Sequence, residues 1–175
     1  MIEAHLEVLA QASSYLMEVG TPRYVQVLSP RFMSSAGSHM RHILDHYTAL
    51  RAGLQCGEVD YTVRSRGSAI ESDPVAALAR LDAIEAWLTH LPDAQLREPL
   101  SLRTEVSVSR REVANVPTTL ARELVFAASH AVHHFAMIGQ IASQQGQVLA
   151  RGFGVAPATA SHLRATGAAV RQTRV

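Results

Sequence analysis

Two histidine-rich segments are the most informative part of this sequence about its fold and function: Gly37-Ser38-His39-Met40-Arg41-His42-Ile43-Leu44-Asp45-His46-Tyr47 and Ser129-His130-Ala131-Val132-His133-His134-Phe135. They hold six of the nine histidines of the sequence. Apolar residues recur every three or four positions through both segments, which predicts an amphipathic helix for each. Two such helices packed side by side would bring imidazoles from both into one place. The sequence therefore predicts a divalent-metal site where the two helices meet.

The composition is that of a globular domain with a substantial core. Of the 175 residues, 47% are hydrophobic and 18% are charged, and the formal net charge is +1. The basic residues are scattered and aromatics make up only 5%, so neither a basic face nor a base-stacking platform is present. The one cysteine, Cys56, excludes an internal disulfide and a cysteine-rich zinc site. We expect a single cytoplasmic domain over residues 1–175, with neither nucleic acid nor membrane as a partner.

Four main helices follow from the apolar periodicity. Ser34, Ser35 or Ser38 is placed to cap the second helix, and Asp73-Pro74 is a start signal for the third. The helices are predicted over residues 2–19, from about 36 to 54, from 74 to about 90 and from 117 to about 145, with a short further segment around 159–165.

The segments between these helices are predicted as a connection over residues 22–34, an ordered loop over 58–70 and a β-hairpin. Residues 100–108 alternate in polarity, Ser109-Arg110 is a turn, and residues 112–116 return. The fold class is therefore mainly α. Four long helices with moderate connections favour a four-helix bundle with a small β-hairpin before the last long helix.

The spacing of the histidines selects some of them as ligands. His130 and His134 are one turn apart and differ by about 40° around the helix, so both can bind one ion. His133 lies about 60° from His130 on the other side, and it is predicted to face the flank. On the earlier helix, His39, His42 and His46 fall within about 60°, and any of them can supply a third nitrogen. On a helical wheel, His39 and His46 lie slightly nearer the apolar stripe than His42 does. Geometry alone does not decide which of the three is the third ligand.

Three neutral imidazoles suit zinc or nickel and leave coordination positions open. Asp45 is near His42 on a helical wheel, so its carboxylate can accept a hydrogen bond from the N–H of an imidazole that binds the metal. The alternative interpretation is a network of hydrogen-bonded histidines at the edge of the core. The isolated His5, His90 and His162 are predicted at the surface, and Trp87 is predicted in the core. No base is paired with Cys56 in the sequence, so catalysis by its thiol is not expected.

Both histidine segments resemble a known family. Arg41-His42-Ile43-Leu44-Asp45-His46-Tyr47 resembles the "His, two apolar residues, Asp" pattern on the second helix of DinB-like proteins, of the DinB/bacillithiol-transferase superfamily. His130-Ala131-Val132-His133-His134 resembles their His-x-x-x-His on a later helix. The two motifs occur in the family's order, about 90 residues apart. The segment Gly152-Phe153-Gly154-Val155-Ala156-Pro157 is similar to one branch of the superfamily.

The resemblance implies an up-down-up-down four-helix bundle, often a homodimer, with zinc or nickel as its metal. Carried over by position, the ligands are His42, His130 and His134, and Asp45, His39 and His46 lie beside them. It also implies a metal-dependent enzyme, either a transferase that moves a low-molecular-weight thiol to a small electrophile, a related detoxification enzyme, or a hydrolase. Arg41, Arg64 and Arg66 are candidates for binding an anionic substrate group. The alternative is a non-catalytic metal-binding or structural stress-response protein.

Overall fold

Helices dominate the computed structural model, which describes residues 1–167. The four long helices predicted from the sequence are present, and the prediction of a mainly α fold is confirmed. The helices are α1 (Ile2–Glu18), α2 (Thr21–Val25), α3 (Ala36–Cys56), α4 (Ala69–Ser72), α5 (Pro74–Thr89), α6 (Leu120–Gln144) and α7 (Pro157–Thr166), with a 3₁₀-helix at Asp93–Arg97. The strands are β1 (Glu58–Asp60), β2 (Pro99–Glu105) and β3 (Val113–Thr119).

Side-chain caps fix where three of the long helices begin. The hydroxyl of Ser35 accepts a hydrogen bond from the Ser38 amide at 3.1 Å, and the Asp73 carboxylate accepts one from the Val75 amide at 2.9 Å. The hydroxyl of Thr119 does the same at the start of α6. Each cap satisfies an amide that has no partner within its helix. The start of α3, which carries the first histidine segment, is therefore set by Ser35.

The predicted hairpin is present and is part of a three-stranded sheet in the order β1-β2-β3. Strand β2 pairs antiparallel with β3, and β1 pairs parallel with β2. The prediction of a loop over residues 58–70 was wrong at both ends, because Glu58–Asp60 form β1 and residues 69–70 belong to α4. Elements of three and four residues are too short to show an alternation or a helical period. The start of the last long helix at Pro117 was also wrong. Residues 117–119 pair with β2 as part of β3. Strand β3 is at the edge of the sheet, where Pro117 is tolerated because no further strand is present to accept a hydrogen bond from a backbone N–H at that position.

Two more predictions about the connections and surface were wrong. The connection predicted over residues 22–34 begins within the short helix α2. This helix is anchored by the fully buried Tyr24, whose hydroxyl donates to the carbonyl of Ile70 at 2.7 Å. His5 is buried instead of exposed, and its Nδ1 lies 3.4 Å from the hydroxyl of Tyr47. The position of His5 on the inner face of α1 follows its spacing from the buried Leu9 and Ala12. Trp87 is half-buried and packs against the core.

The long helices pack in pairs that place the histidine segments face to face. Helix α3 packs against α6 and α5, and α1 packs against the same two helices. The core between them includes side chains with no exposed surface, among them Leu9, Met40, Leu44, Leu81, Leu124 and Phe135. The contact between α3 and α6 is the one that assembles the site.

Two glycines let α3 approach its neighbours closely. A Cβ at Gly37 would overlap the carbonyl oxygen of Glu71 and lie 2.9 Å from Tyr24 Cε1. A Cβ at Gly53 would lie 2.6 Å from Val59 Cγ2 on β1. Only glycine fits at these two positions without a shift of the neighbouring chain. The histidines of α3 lie between them.

Helix α6 is, within residues 1–167, the one helix long and apolar enough to cross a membrane by length and composition. Of the window that meets this test, 39% is buried inside the protein. Core helices of soluble proteins pass the same test, so the structure is compatible with a soluble protein.

Candidate metal centre

Helices α3 and α6 bring five histidines into one half-buried cluster, as the sequence predicted. Ring centroids are 4.9 Å apart for His42 and His130, 4.7 Å for His42 and His134, and 4.6 Å for His130 and His134. His46 is buried, and its ring lies 4.5 Å from that of His130. The fifth member is His39, whose ring lies 5.1 Å from that of His134.

The Nε2 atom of His130 has two other Nε2 atoms as close neighbours. His42 Nε2 lies 2.9 Å from His130 Nε2, which lies 3.1 Å from His134 Nε2. Nitrogens that share one ion at about 2.0–2.1 Å are about 2.9–3.4 Å apart for angles between about 90° and 109°. The single in-plane site of His130 Nε2 can form one linear hydrogen bond, yet it has two nitrogen neighbours. A cation bound by these nitrogens would remove that conflict, so the chemistry of the donors suits a metal ion.

A second set of three overlaps the first. One ring nitrogen from each of His42, His46 and His130 lies within 4.8 Å of the others, so these three could hold a metal ion. The Nδ1 of His46 is 2.8 Å from the carbonyl oxygen of His42. Because a carbonyl only accepts, that Nδ1 carries the proton and the Nε2 lone pair of His46 is free to bind a metal. The assignment of His134 instead of His46 as the third ligand stays a prediction.

His39 is positioned to orient His134. Their Nδ1 atoms are 2.8 Å apart, so one nitrogen donates and the other accepts. If His134 binds an ion through Nε2, its Nδ1 keeps the proton and donates to His39. A hydrogen bond of this kind fixes the tautomer and the ring orientation of a metal ligand.

The cluster is neutral near pH 7. Burial, together with the charges of neighbouring histidines and Arg64, lowers the pKa of His42 to about 2. Burial first and neighbouring histidines second lower the pKa of His134 to about 3 and that of His130 to about 4. Burial also lowers the pKa values of His39 and His46. Neutral imidazoles retain the lone pairs that metal binding requires.

Asp45 has partners other than an imidazole. Its Oδ2 accepts from Arg41 Nη1 at 2.9 Å and from the Ser65 amide at 3.1 Å. Arg41 also lies 3.0 Å from Glu71, and its side chain is 11% exposed. Arg41 is therefore held in an ion-paired network, whereas Arg66 is exposed.

Arg64 reaches the histidine cluster itself. Its Nη1 contacts Nδ1 of His42 and lies 3.5 Å from Nε2 of the same ring. Of the three arginines singled out in the sequence, Arg64 is the one that touches a predicted ligand.

An aromatic and acidic wall beside the cluster, formed by Tyr61 and Glu123, was not predicted from the sequence. The Tyr61 ring is 4.7 Å from that of His46, and the Tyr61 hydroxyl donates to Glu123 at 2.9 Å. Glu123 is fully buried, and it also accepts from Thr118 at 2.7 Å and from Arg122 at 2.8 Å. One signal was available, because Glu123 precedes His130 by seven residues and so lies on the same face of α6.

The remaining singled-out residues lie outside the cluster. His133 is exposed on the flank, as predicted, with its ring 5.3 Å from that of His134. His90 and His162 are exposed, as predicted. Cys56 is exposed, and its Sγ lies 3.3 Å from the carbonyl oxygen of Glu58.

Comparison with known proteins gives one partial likeness. No protein-family model matches this chain. The chain is 29% identical over 106 residues to a protein of Rhizopus delemar described as FK506-binding protein 5. The match covers 61% of this chain and 28% of that protein, so the chain spans little more than a quarter of the relative's length. This likeness does not bear on the DinB-like resemblance, which stays a prediction.

Proposed function

We propose that this protein binds one divalent ion, zinc or nickel, through His42, His130 and His134. The observation that carries the proposal is the pair of short distances from His130 Nε2, which lies 2.9 Å from His42 Nε2 and 3.1 Å from His134 Nε2. The chain provides three neutral donors, and His39 holds one of them through its Nδ1.

The proposal includes a DinB-like four-helix bundle with up-down-up-down topology. Its support is the closed cycle of helix contacts, in which α1 packs on α5, α5 on α3, α3 on α6 and α6 on α1. The two helices that carry the ligands are neighbours in this cycle.

We further propose that the site serves the transfer of a low-molecular-weight thiol to a small electrophile. An ion held by three imidazoles keeps open positions and lowers the pKa of a bound thiol. Around that position the chain supplies apolar surface, because the Phe126 ring stacks on His130 with centroids 5.5 Å apart and Tyr61 covers His46. The histidines of the cluster other than His46 are half-buried, so the site is only partly covered. The homodimer belongs to the same proposal, and FK506 binding does not, given the short span of the match.

Metal content of untagged protein tests the binding step. We expect about one zinc or nickel ion per chain by elemental analysis after loading and dialysis, and loss of that ion in His42→Ala, His130→Ala and His134→Ala. His133→Ala, on the exposed flank of the same helix, is the matched control and should retain the ion. Loss of metal in His46→Ala with retention in His134→Ala would replace His134 by His46 as the ligand. Protein that takes up no stoichiometric ion contradicts the proposal.

A second candidate function is structural, because imidazoles of α3 and α6 contact each other across the helix interface. The two functions differ in the melting temperature of the alanine variants. Loss of metal with an unchanged melting temperature, together with thiol-dependent turnover by the loaded wild type, supports the enzyme. Collapse of the fold in the same variants, with no turnover across a panel of thiols and electrophiles, supports the structural role.

A further inference from the structure

We propose that a cavity between α1 and α6, lined by His5, binds a small apolar molecule that carries one uncharged carbonyl oxygen. The cavity has a volume of about 330 Å³, and none of the five clustered histidines lines it. It is therefore a site separate from the candidate metal centre. Binding there requires no metal ion, so it is independent of the proposed function.

The walls of the cavity are almost entirely apolar. They come from α1, from α6 and from the start of α7, and they include Val8, Val125, Ala128, Val132, Ala156 and Pro157. Ala4 and Val125 are exposed, so the cavity opens to solvent. Two polar side chains complete the lining, the exposed Ser129 and the buried His5. Apolar walls with few polar groups, at this volume, are typical of sites for small molecules.

The tautomer of His5 follows from its contact with Tyr47. The Tyr47 hydroxyl is fully buried, and within residues 1–167 its one hydrogen-bond partner is Nδ1 of His5, at 3.4 Å. Because a buried hydroxyl proton needs an acceptor, Tyr47 donates to Nδ1. Burial first and the N-terminal ammonium second lower the pKa of His5, so its ring is neutral near pH 7. A neutral imidazole that accepts at Nδ1 carries its proton on Nε2.

The Nε2–H group of His5 is the donor that the cavity offers to a ligand. It makes no hydrogen bond to residues 1–167, yet it is not sealed in the core as the unpartnered hydroxyl of Tyr15 is. Because His5 lines the cavity, this accessible group faces it. An oxygen that accepts from Nε2 satisfies the donor. An uncharged carbonyl fits best, because no cationic side chain lines the cavity to offset the lost hydration of an anion.

Titration of metal-free protein with acetophenone, followed by methyl NMR, tests where such a molecule binds. We expect the methyl resonances of Val8, Val125 and Val132 to shift. Val125→Trp, which places a large ring at the mouth of the cavity, should lose the shifts at the other two valines. Val75→Trp, a comparably exposed valine of α5 outside the lining, is the matched control and should keep them. No shift in wild type, or the same shifts in both variants, overturns the inference.

The role of His5 is tested by the ratio of acetophenone affinity to ethylbenzene affinity, since ethylbenzene has a similar shape and no oxygen. Taking this ratio within each protein cancels the different hydration of the two probes. The double variant His5→Phe with Tyr47→Phe removes the donor and its partner together, so no buried polar group is left unpaired. We expect the ratio to fall by about threefold to tenfold in the double variant, the effect of one hydrogen bond.

Three results contradict the assignment. An unchanged ratio in a folded double variant removes His5 as the donor. Tighter binding of benzoate than of acetophenone by wild type overturns the choice of an uncharged ligand. Resonances of Val8 and Val132 that change when the ligand-free protein is diluted would mean that a second copy of the chain covers the cavity, which overturns the small-molecule site.

Discussion

His39 is the residue of α3 that contacts the proposed ligand His134 on α6. Its Nδ1 lies 2.8 Å from Nδ1 of His134, and its own pKa is lowered by burial, so it is a neutral acceptor. We expect His39→Ala to weaken zinc binding by about tenfold or more, the usual effect of removing a partner that orients a ligand. Titration of metal-free protein with a zinc indicator measures this. His133→Ala is the control, and an unchanged affinity in His39→Ala would mean that His134 does not need its partner.

Glu123 holds the wall of the site through three hydrogen bonds from a fully buried position. Its replacement by alanine leaves the hydroxyls of Tyr61 and Thr118 without their acceptor. We expect Glu123→Ala to lower the free energy of unfolding by at least about 2 kcal/mol, the cost of unsatisfied buried groups. Urea denaturation provides the measurement, with the exposed Glu7→Ala of α1 as control. A loss no larger than that of the control would contradict the role given to Glu123.

For individual residues, the sequence predicted that the histidines lie together, but it did not predict that Tyr61 and Arg64 contact them. The spacing of His130 and His134 placed them together because a helix repeats every 3.6 residues. Arg64 and Tyr61 lie outside any long helix, so no periodicity connected them to the histidines. Their positions depend on how β1 pairs with β2, which is a contact between segments distant in the chain.

Helix α3 is the element whose placement depends on small residues. Gly37→Ala would improve helix propensity by up to about 1 kcal/mol, but its Cβ meets the backbone at Glu71. Backbone cannot move aside as a side chain can, so we expect a net loss of about 2 kcal/mol or more. Thermal unfolding tests this, with Gly139→Ala in α6 as the matched control. A Cβ at Gly139 meets Phe153 Cδ1 at an ordinary 3.6 Å, so that variant should be neutral or more stable. Similar stability of the two variants would contradict the close contact.

Long and short elements differed in how well their sequences revealed them. Helix α6 spans 25 residues and shows its apolar period many times over. Helix α2 and strand β1 span five and three residues, less than is needed to display a period. Their formation comes from tertiary contacts, namely the burial of Tyr24 and of Val59, which no local pattern encodes.

Acid stability is a property of the whole molecule to which His5 contributes. Burial first, and the N-terminal ammonium second, lower the pKa of His5. Below about pH 6.5 the unfolded chain takes up a proton at this residue that the folded chain does not. The stability that His5 contributes is therefore present above that pH and is lost as the pH falls. We expect His5→Gln to make the decline in unfolding free energy between pH 7 and pH 5 shallower, by at most about 1.4 kcal/mol per pH unit.

Urea denaturation of metal-free protein at several pH values measures this slope. Tyr47→Phe is the control, because it removes the same 3.4 Å contact and keeps the buried imidazole. An equal slope in His5→Gln and wild type would show that His5 does not titrate differently on folding.

The overall class of the molecule was predictable, and its sheet was predictable only in part. Apolar periodicity identified four long helices, and polarity alternation identified the hairpin. The parallel strand β1 and the way the helices pair required the three-dimensional structure, because both join segments that are far apart in sequence.

The close contacts at Gly37 and Gly53 have a consequence for the length of the chain. Helix α3 is in close contact with the backbone at Glu71 through Gly37 and with Val59 through Gly53. The number of residues between these two contacts therefore fixes the direction in which each side chain of the helix points. One inserted residue would turn the following part by about 100° and carry His42 and His46 away from α6. Related chains should therefore vary in length at the exposed hairpin turn of residues 107–112, and keep the spacing from 37 to 53 constant.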